Sequence, residues 1–324
     1  MTEPLIDLLP AALARRAPLL EALAAEGTTA VRLFHGAAEG RPGLTVDAYG
    51  AHALVQTFRE PLTDGELAAI EDAVQRPTVW RHRGRTPADP PVPDWARAPT
   101  PFAEHGLRVT APLVHRGQDP HLFLDFRAAR RWLKAHSAGK RVLNTFAYTG
   151  FAGLICAAHG AAKVTQLDHG RWCLDVAERW ARAHELVTEI VREDFIPAVR
   201  QWAGLNVKGR GAQRGGWSRR GERRFDLVIL DPPTFTKTRF GAVDIERDYA
   251  SLAKPALKCL APGGALLATN HSPRVDRDAW IASVRRAGEK AGVTVSEVTV
   301  IEPDADFPSY DGQPPLSCAV FHTA

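Results

Sequence analysis

Cysteine is scarce in this chain of 324 residues, and neither sign of charge is in real excess. The four cysteines, Cys156, Cys173, Cys259 and Cys318, show no C-x-x-C spacing and no matching histidine pair. That excludes a disulfide scaffold and argues against a zinc site or a redox dithiol, so no metal is expected and a reducing cytoplasm is the simplest setting. Lys and Arg total 41 against 37 Asp and Glu, a net charge of +4, which points to an anionic partner only if the surplus is concentrated somewhere. Met1 to Ala25 holds Glu3 and Asp7 and has no basic stretch followed by an apolar one, so no secretory signal is expected. Long apolar runs are lacking too. Val142 to Ala162 carries no Asp, Glu, Lys or Arg, but Asn144, Thr145, Tyr148, Thr149, Gly150 and Gly153 interrupt it. Strand, turn and helix fit that pattern better than a membrane span.

What is present is globular: 45% apolar, 24% charged and 8% aromatic residues. At about 100 to 200 residues per domain the length predicts two domains. An N-terminal helical segment, 1–28, contains a helix over Leu5 to Ala25. A small α/β domain, 29–118, follows, with strands Ala30 to Phe34 and Ala53 to Phe58 joined through Gly36 to Gly43 and Val46 to Gly50. It continues with helix Glu66 to Val74, strand Thr78 to Arg81 and an extended connector, Pro87 to Pro101, that holds six prolines.

From 119 to 324 strands and helices alternate. Strands are predicted at Val142 to Phe146, Val164 to Leu167, Thr188 to Val191, Leu227 to Leu230 and Ala265 to Thr269. Helices are predicted at Phe126 to His136, Gly150 to His159, Cys173 to His184, Ile196 to Trp202, Tyr249 to Leu260 and Asp278 to Ala291. Such alternation implies right-handed crossovers and a parallel, doubly wound α/β sheet. Strands Val293 to Val300 and Leu316 to His322 follow one another and predict an antiparallel hairpin at the sheet edge.

Ligands of open parallel sheets lie beyond the carboxyl ends of the strands. The first strand of this region runs into Asn144-Thr-Phe146-Ala-Tyr148-Thr149-Gly150, which reads either as a cofactor turn or as a tight strand-to-helix connection. Asp168, eighteen residues after Gly150 and followed by His169, ends the second strand, where an acid accepts ribose hydroxyls; a helix N-cap is the equal alternative. Asp194, followed by Phe195, reads as an acceptor for an adenine amino group with the ring of Phe195 against the base, or again as an N-cap. The fourth strand ends in Asp231-Pro232-Pro233-Thr234-Phe235. Two prolines fix φ and hold the Asp231 carboxylate and nearby carbonyls rigidly toward a substrate, with Phe235 placed to stack on a planar base. Asp231, Pro232, Pro233 and Phe235 are therefore the candidate catalytic group.

These segments resemble the class I S-adenosylmethionine-dependent methyltransferases, specifically the bacterial 23S ribosomal RNA enzymes that modify cytosine C5 or guanine N7. The resemblance rests on Arg32-Leu-Phe-His-Gly, Pro42-Gly-Leu-Thr-Val-Asp47, Gly117-Gln118, Leu122-Phe-Leu-Asp125-Phe-Arg127, the turn from Asn144 to Gly150, Asp168, Asp194 and Asp231 to Phe235. It implies a Rossmann-like, seven-stranded sheet, S-adenosyl-L-methionine as cofactor and ribosomal RNA or a ribosomal particle as partner. It also places Asp125 and Arg127 over the cofactor. About 28 residues precede the Ala30 strand, too few for the PUA-type RNA-binding module that family members often carry there. The cytosine-C5 members place a nucleophilic cysteine after the fifth strand, where this chain reads Ala268-Thr-Asn270-His271-Ser272. Without a thiolate the expected reaction is direct transfer to a nitrogen or oxygen acceptor on a flipped or single-stranded base. A small molecule or protein acceptor, or a non-catalytic RNA-binding role, is the alternative. Tyr148 and Thr149 are expected to shape the methionine pocket, His271 to be structural or to orient the base, and Trp172, Trp180 and Trp202 to be core.

The charge surplus is local. From 203 to 224 the chain carries Lys208, Arg210, Arg214, Arg219, Arg220, Arg223 and Arg224 against Glu222 alone, which exceeds the +4 of the whole. A basic arm reaching phosphates and a solvated insertion are the two readings of this Gly/Arg-rich segment.

Overall fold

The computed structural model describes residues 4–86, 88, 90–207, 217–238 and 240–324. They form two compact units: one runs through Arg127 and takes in Pro303–Pro314, and the other comprises Ala128–Glu302 and Pro315–Ala324.

In the first unit, helix α1 (Leu5–Ala25) lays Leu5, Leu9, Ala12 and Leu23 into the core. Strands β1 (Ala30–His35), β2 (Leu44–Tyr49) and β3 (His52–Thr57) pair antiparallel in that order. Helix α2 (Asp64–Val74) then crosses over to β4 (Thr78–His82), which pairs parallel to β3. Thr63 and Glu66 start α2 as a reciprocal capping box, each side chain accepting the other's backbone N–H. A one-turn helix α3 (Asp94–Arg97) and the hairpin β5 (Thr100–Glu104) and β6 (Leu107–Ala111) complete the unit.

Three sequence expectations change here. Val46 to Gly50 is no connector: Leu44, Val46 and Ala48 alternate into the core, which makes β2 a strand, and only Gly50, at φ +62°, turns. The proline-rich segment is not uniformly extended, because α3 interrupts it and its end enters β5. The helix at the N-terminus is not a segment apart, because its apolar stripe belongs to the core of this unit.

The unit also ends later than 118. Arg127 is fully buried, donating from Nη1 to Asp304 at 2.9 Å and from Nη2 to Asp306 at 2.7 Å. Asp306 is itself fully buried, accepts from the backbone N–H of Arg32 at 3.0 Å, and lends its carbonyl to Arg16. Burial opposes the Arg127 charge, but the carboxylates around it hold its pKa well above the usual value. This ion cluster ties 303–314 to the start of β1.

Helix α4 (Arg127–His136) opens the second unit from Ala128 onward. Strands β7 (Arg141–Thr145), β8 (Lys163–Asp168), β9 (Glu189–Arg192), β10 (Phe225–Leu230), β13 (Leu260–Asn270), β14 (Val295–Ile301) and β15 (Ser317–Thr323) build one sheet in the order β14-β15-β13-β10-β7-β8-β9. All neighbours are parallel except β15, which is antiparallel to both β13 and β14. Helices α5 (Phe151–Ala158), α6 (Arg171–Ala183), α7 (Phe195–Trp202), α8 (Ala250–Lys258) and α9 (Arg277–Ala291) connect the strands. β10 reads Phe-Asp-Leu-Val-Ile-Leu and is buried along nearly its whole length, as a central parallel strand should be. A two-stranded hairpin, β11 (Phe235–Thr238) and β12 (Gly241–Asp244), follows β10 where the sequence predicted no structure. Among the described residues no helix is long and apolar enough to cross a membrane.

Asp306→Ala removes the fully buried partner of Arg127 and leaves only Asp304 and the more distant Glu104 beside its charge, a loss on the order of 3–5 kcal/mol. The urea midpoint followed by circular dichroism is expected to fall accordingly.

Candidate active site

The order of strands in the sheet reverses between β10 and β7, and the crevice at such a switch point is where the carboxyl ends of β7, β8, β9 and β10 meet. The turn leaving β7 holds Phe146 at φ +52°, Tyr148 at φ +51° and Gly150 at φ +74°. Two side-chain-bearing residues in the left-handed region make this a strained turn that its surroundings must hold. Gln166 of β8 holds it from below: Asn144 donates to Gln166 Oε1 and Gln166 Nε2 donates to the Gly150 carbonyl, each at 2.8 Å. A Cβ on Gly150 would come within 2.6 Å of Ala177 and 2.8 Å of Gln166, so glycine is required there by space as well as by φ.

Asp168 holds the turn from the side. Its Oδ2 accepts from the Tyr148 N–H at 3.0 Å and its Oδ1 from the Gly170 N–H at 2.7 Å. The carboxylate thus ties the end of β8 to the turn after β7 and to the entry of α6. It does not cap α6, whose N-cap is Gly170. His169 is exposed, with Nδ1 3.8 Å from Asp168. Asp194 is the N-cap of α7, accepting from Ile196 N at 2.8 Å. Phe195 is buried and stacks on Phe146 at 4.9 Å between centroids.

A narrow cleft opens above these groups. Phe146, Leu167, Phe195 and Val243 supply apolar wall, Asp168, His169, Glu193 and Asp194 the polar rim, and Thr236 and Thr238 of the β11–β12 hairpin close one side. The capping role of Asp194 and its place on the cleft therefore coexist. Asn144 is buried in the sheet beneath the turn and is not among the residues lining the cleft. Arg127 departs furthest from its expected role, because its guanidinium is committed to Asp304 and Asp306 in the first unit. Asp125 lies in the short 3-10 turn Leu124–Phe126 of that same unit, near enough to Arg32 to help raise its pKa.

At the end of β10, Thr269 of β13 donates its hydroxyl to Asp231 Oδ1, and the buried Tyr249 donates to the Thr269 carbonyl at 2.8 Å. Burial, with the Asp231 charge adding to it, pushes the Tyr249 phenol well above its ordinary pKa, so it stays a donor. The Thr234 hydroxyl lies 2.5 Å from His271 Nε2, which joins the Asp-Pro-Pro-Thr turn to the loop after β13. That loop is fixed in turn by Asn270, which donates to the Ile245 carbonyl, and by Ser272, which donates to Glu246. Phe235 is 54% exposed with Lys237 Nζ 5.6 Å from its centroid. Trp180 and Trp202 are core, but Trp172 is exposed and meets Tyr148 edge-on, because it falls on the outer face of the first turn of α6.

The basic segment is partly pinned. Lys208, Arg210 and Arg214 lie outside the described residues, whereas Arg223 pairs with Glu189 at 2.9 Å and covers Trp202, and Arg224 pairs with Glu222. Ser218 N–H donates to Glu193, itself on the cleft rim. Arg223 and Arg224 are thus engaged with acids of this chain.

A sequence profile of the S-adenosylmethionine-dependent methyltransferases matches residues 31–322. The chain belongs to that family. The methyltransferase is 34% identical over 302 residues to a ribosomal RNA large subunit methyltransferase of Deinococcus radiodurans, covering 87% of this chain and 70% of the other. It is 26% identical over 307 residues to ribosomal RNA large subunit methyltransferase I of Aeromonas salmonicida, covering 87% and 71%. In fold it is similar to a methyltransferase crystallised with SAH, at a TM-score of 0.78, 20% identity and coverage of 98% of this chain and 80% of that one. Its methyl donor is S-adenosylmethionine.

The thiols of this methyltransferase are all buried. Desolvation pushes Cys156, Cys173 and Cys259 up to about 12, and burial with the nearby Asp231 charge raises Cys318 further. Iodoacetamide at pH 8 is expected to alkylate none of the four in the native protein and all four after denaturation, read by intact mass.

Proposed function

We propose that this methyltransferase transfers a methyl group to a base of large-subunit ribosomal RNA in the cytoplasm, directly and without a cysteine adduct. The observation that carries the RNA acceptor is the 34% identity to a large-subunit ribosomal RNA methyltransferase over 87% of the chain. The absence of an adduct rests on chemistry: a thiol with its pKa near 12 and no solvent access is no nucleophile at neutral pH.

The cleft suits the donor. Its apolar wall of Phe146, Leu167 and Val243 offers a surface of the kind an adenine ring packs against, and Asp194 on its rim an acceptor for the ring's amino group. Asp168 uses one acceptor position on each oxygen for backbone, and a carboxylate has about four in all, so two remain for ribose hydroxyls. Tyr148, Thr149 and Gly150 hold the methionine end of the donor, which when bound supplies an electrophilic methyl sulfonium.

The residues of β10 then act on the acceptor. Thr269 fixes the orientation of Asp231, and Pro232 and Pro233 remove backbone freedom, so the carboxylate and the Pro232 carbonyl meet the hydrogen-bonding edge of a flipped base in one geometry. Phe235 stacks on that base. Where the acceptor nitrogen carries a proton, Asp231 lies on the side from which it is withdrawn. Positioning and exclusion of water are the main catalytic effects.

Asp168→Asn places an amide N–H against one of two backbone donors and is expected to weaken S-adenosylmethionine binding about ten- to a hundredfold by calorimetry, in line with 1–3 kcal/mol for a buried polar mismatch. Mass spectrometry of nucleosides from large-subunit ribosomal RNA should show one methylated base missing in a deletion strain. Wild type restores it, and Asp231→Ala restores it poorly or not at all. An unchanged nucleoside profile in the deletion strain transfers the activity to a small molecule or protein acceptor.

A further inference from the structure

The ends of β3 and β4 carry the other concentration of arginine. In the parallel register Gln56 faces Arg81 and Thr57 faces His82. Alternation puts Gln56 and Phe58 on one face with Arg81 and Arg83. The opposite face is anchored, since Trp80 Nε1 lies 2.9 Å and His82 Nδ1 2.7 Å from the Thr57 hydroxyl. On the first face Phe58 is 43% exposed and the Arg83 guanidinium lies over its ring at 5.2 Å.

Backbone contacts lock the two strand ends together. Arg83 N–H donates to the Thr57 carbonyl at 2.7 Å, and Phe58 N–H to the Gly43 carbonyl at 2.8 Å. A Cβ on Gly84 would fall 2.4 Å from the Arg59 carbonyl, so only glycine lets the Arg81–Arg85 segment lie against Arg59. The loop holding Arg116 joins the same face, because Arg83 pairs with Asp119 at 2.9 Å and Gln56 donates to the Gln118 carbonyl. Arg59, Arg85 and Arg116 are exposed. The segments that meet here thus carry five arginines, Arg59, Arg81, Arg83, Arg85 and Arg116, and the acids Glu60 and Asp119, with Arg83 directly over the exposed Phe58 ring.

We propose that this face of the first unit docks RNA outside the reacting nucleotide, with an unpaired base on Phe58 and flanking phosphates on the arginines. The inference rests on the RNA acceptor proposed above. Aromatic stacking beside planar guanidinium groups is the chemistry that single-stranded nucleic acid recognises, and a stacked base contributes about 1–3 kcal/mol. The Arg83–Asp119 pair is no obstacle: with half of Asp119 exposed, it is worth at most about 1 kcal/mol, and a phosphate can replace it. An acidic protein surface matches the charge but makes no use of an open ring under a guanidinium.

The test is fluorescence anisotropy of the full-length protein with a short, labelled, single-stranded RNA of mixed sequence, over a series of salt concentrations. Arg81→Gln, Arg83→Gln and Arg85→Gln together are expected to lower affinity at least tenfold at low salt. They also flatten the slope of log K against log salt by about 2, since each single-strand phosphate contact contributes about 0.7. Phe58→Ala is expected to lower affinity about tenfold at unchanged slope. S-adenosylmethionine binding measured by calorimetry stays at the wild-type value in all of these variants, which certifies that they fold. Unchanged affinity and slope in the triple variant, alongside RNA binding by wild type, overturns the docking face and leaves the RNA acceptor standing. No RNA binding by wild type, with an unaltered ribosomal nucleoside profile in the deletion strain, overturns both.

Discussion

The carboxylate of Asp168 is the constraint from which the cleft follows. One side chain at the end of β8 accepts backbone N–H groups from two different connections, the turn after β7 and the start of α6. Hydrogen bonds to an ionised acceptor are roughly twice as strong as neutral ones, and this pair holds a turn in which Phe146 and Tyr148 sit at positive φ. Gln166, two residues earlier, secures the same turn from inside the sheet through Asn144 and Gly150. The wall of the cleft is therefore held by the chain's own hydrogen bonds. Pre-organisation of this kind removes ordering costs from binding.

The parallel sheet was legible because its strands are short apolar runs separated by helical periodicity, and β10 announced itself by five apolar residues before Asp231. The strand ends that carry the candidate residues Asp168 and Asp231 were placed by the same alternation. What could not be read depends on side chains meeting across the fold. Arg127 and Asp306 are 179 residues apart, and nothing local to either says that they pair. Asn144 reads as part of the glycine turn that follows it, whereas its amide faces Gln166. That glutamine was a usable signal, a long polar side chain in the middle of a buried strand. The β11–β12 hairpin was missed because Phe235 to Asp244 alternates weakly: one face is exposed and the other borders a cleft rather than a core.

The loop after β13 carries a histidine hydrogen-bonded to the Asp-Pro-Pro-Thr turn. Thr234 and His271 bind together the ends of two adjacent parallel strands. Asp231 is meanwhile held by Thr269, and Thr269 by Tyr249. Asp231, Thr269, Thr234 and His271 are thereby each oriented by a neighbour.

The strand order has a consequence for biosynthesis. β15 is the last strand in the chain but lies between β14 and β13, and the segment just before it supplies Asp306 to Arg127. Neither unit can complete its buried set until more than three hundred residues have left the ribosomal tunnel. Until then β13 presents an open hydrogen-bonding edge and Arg127 lacks the carboxylates of Asp304 and Asp306. Both units thus draw on the end of the chain for part of their buried set.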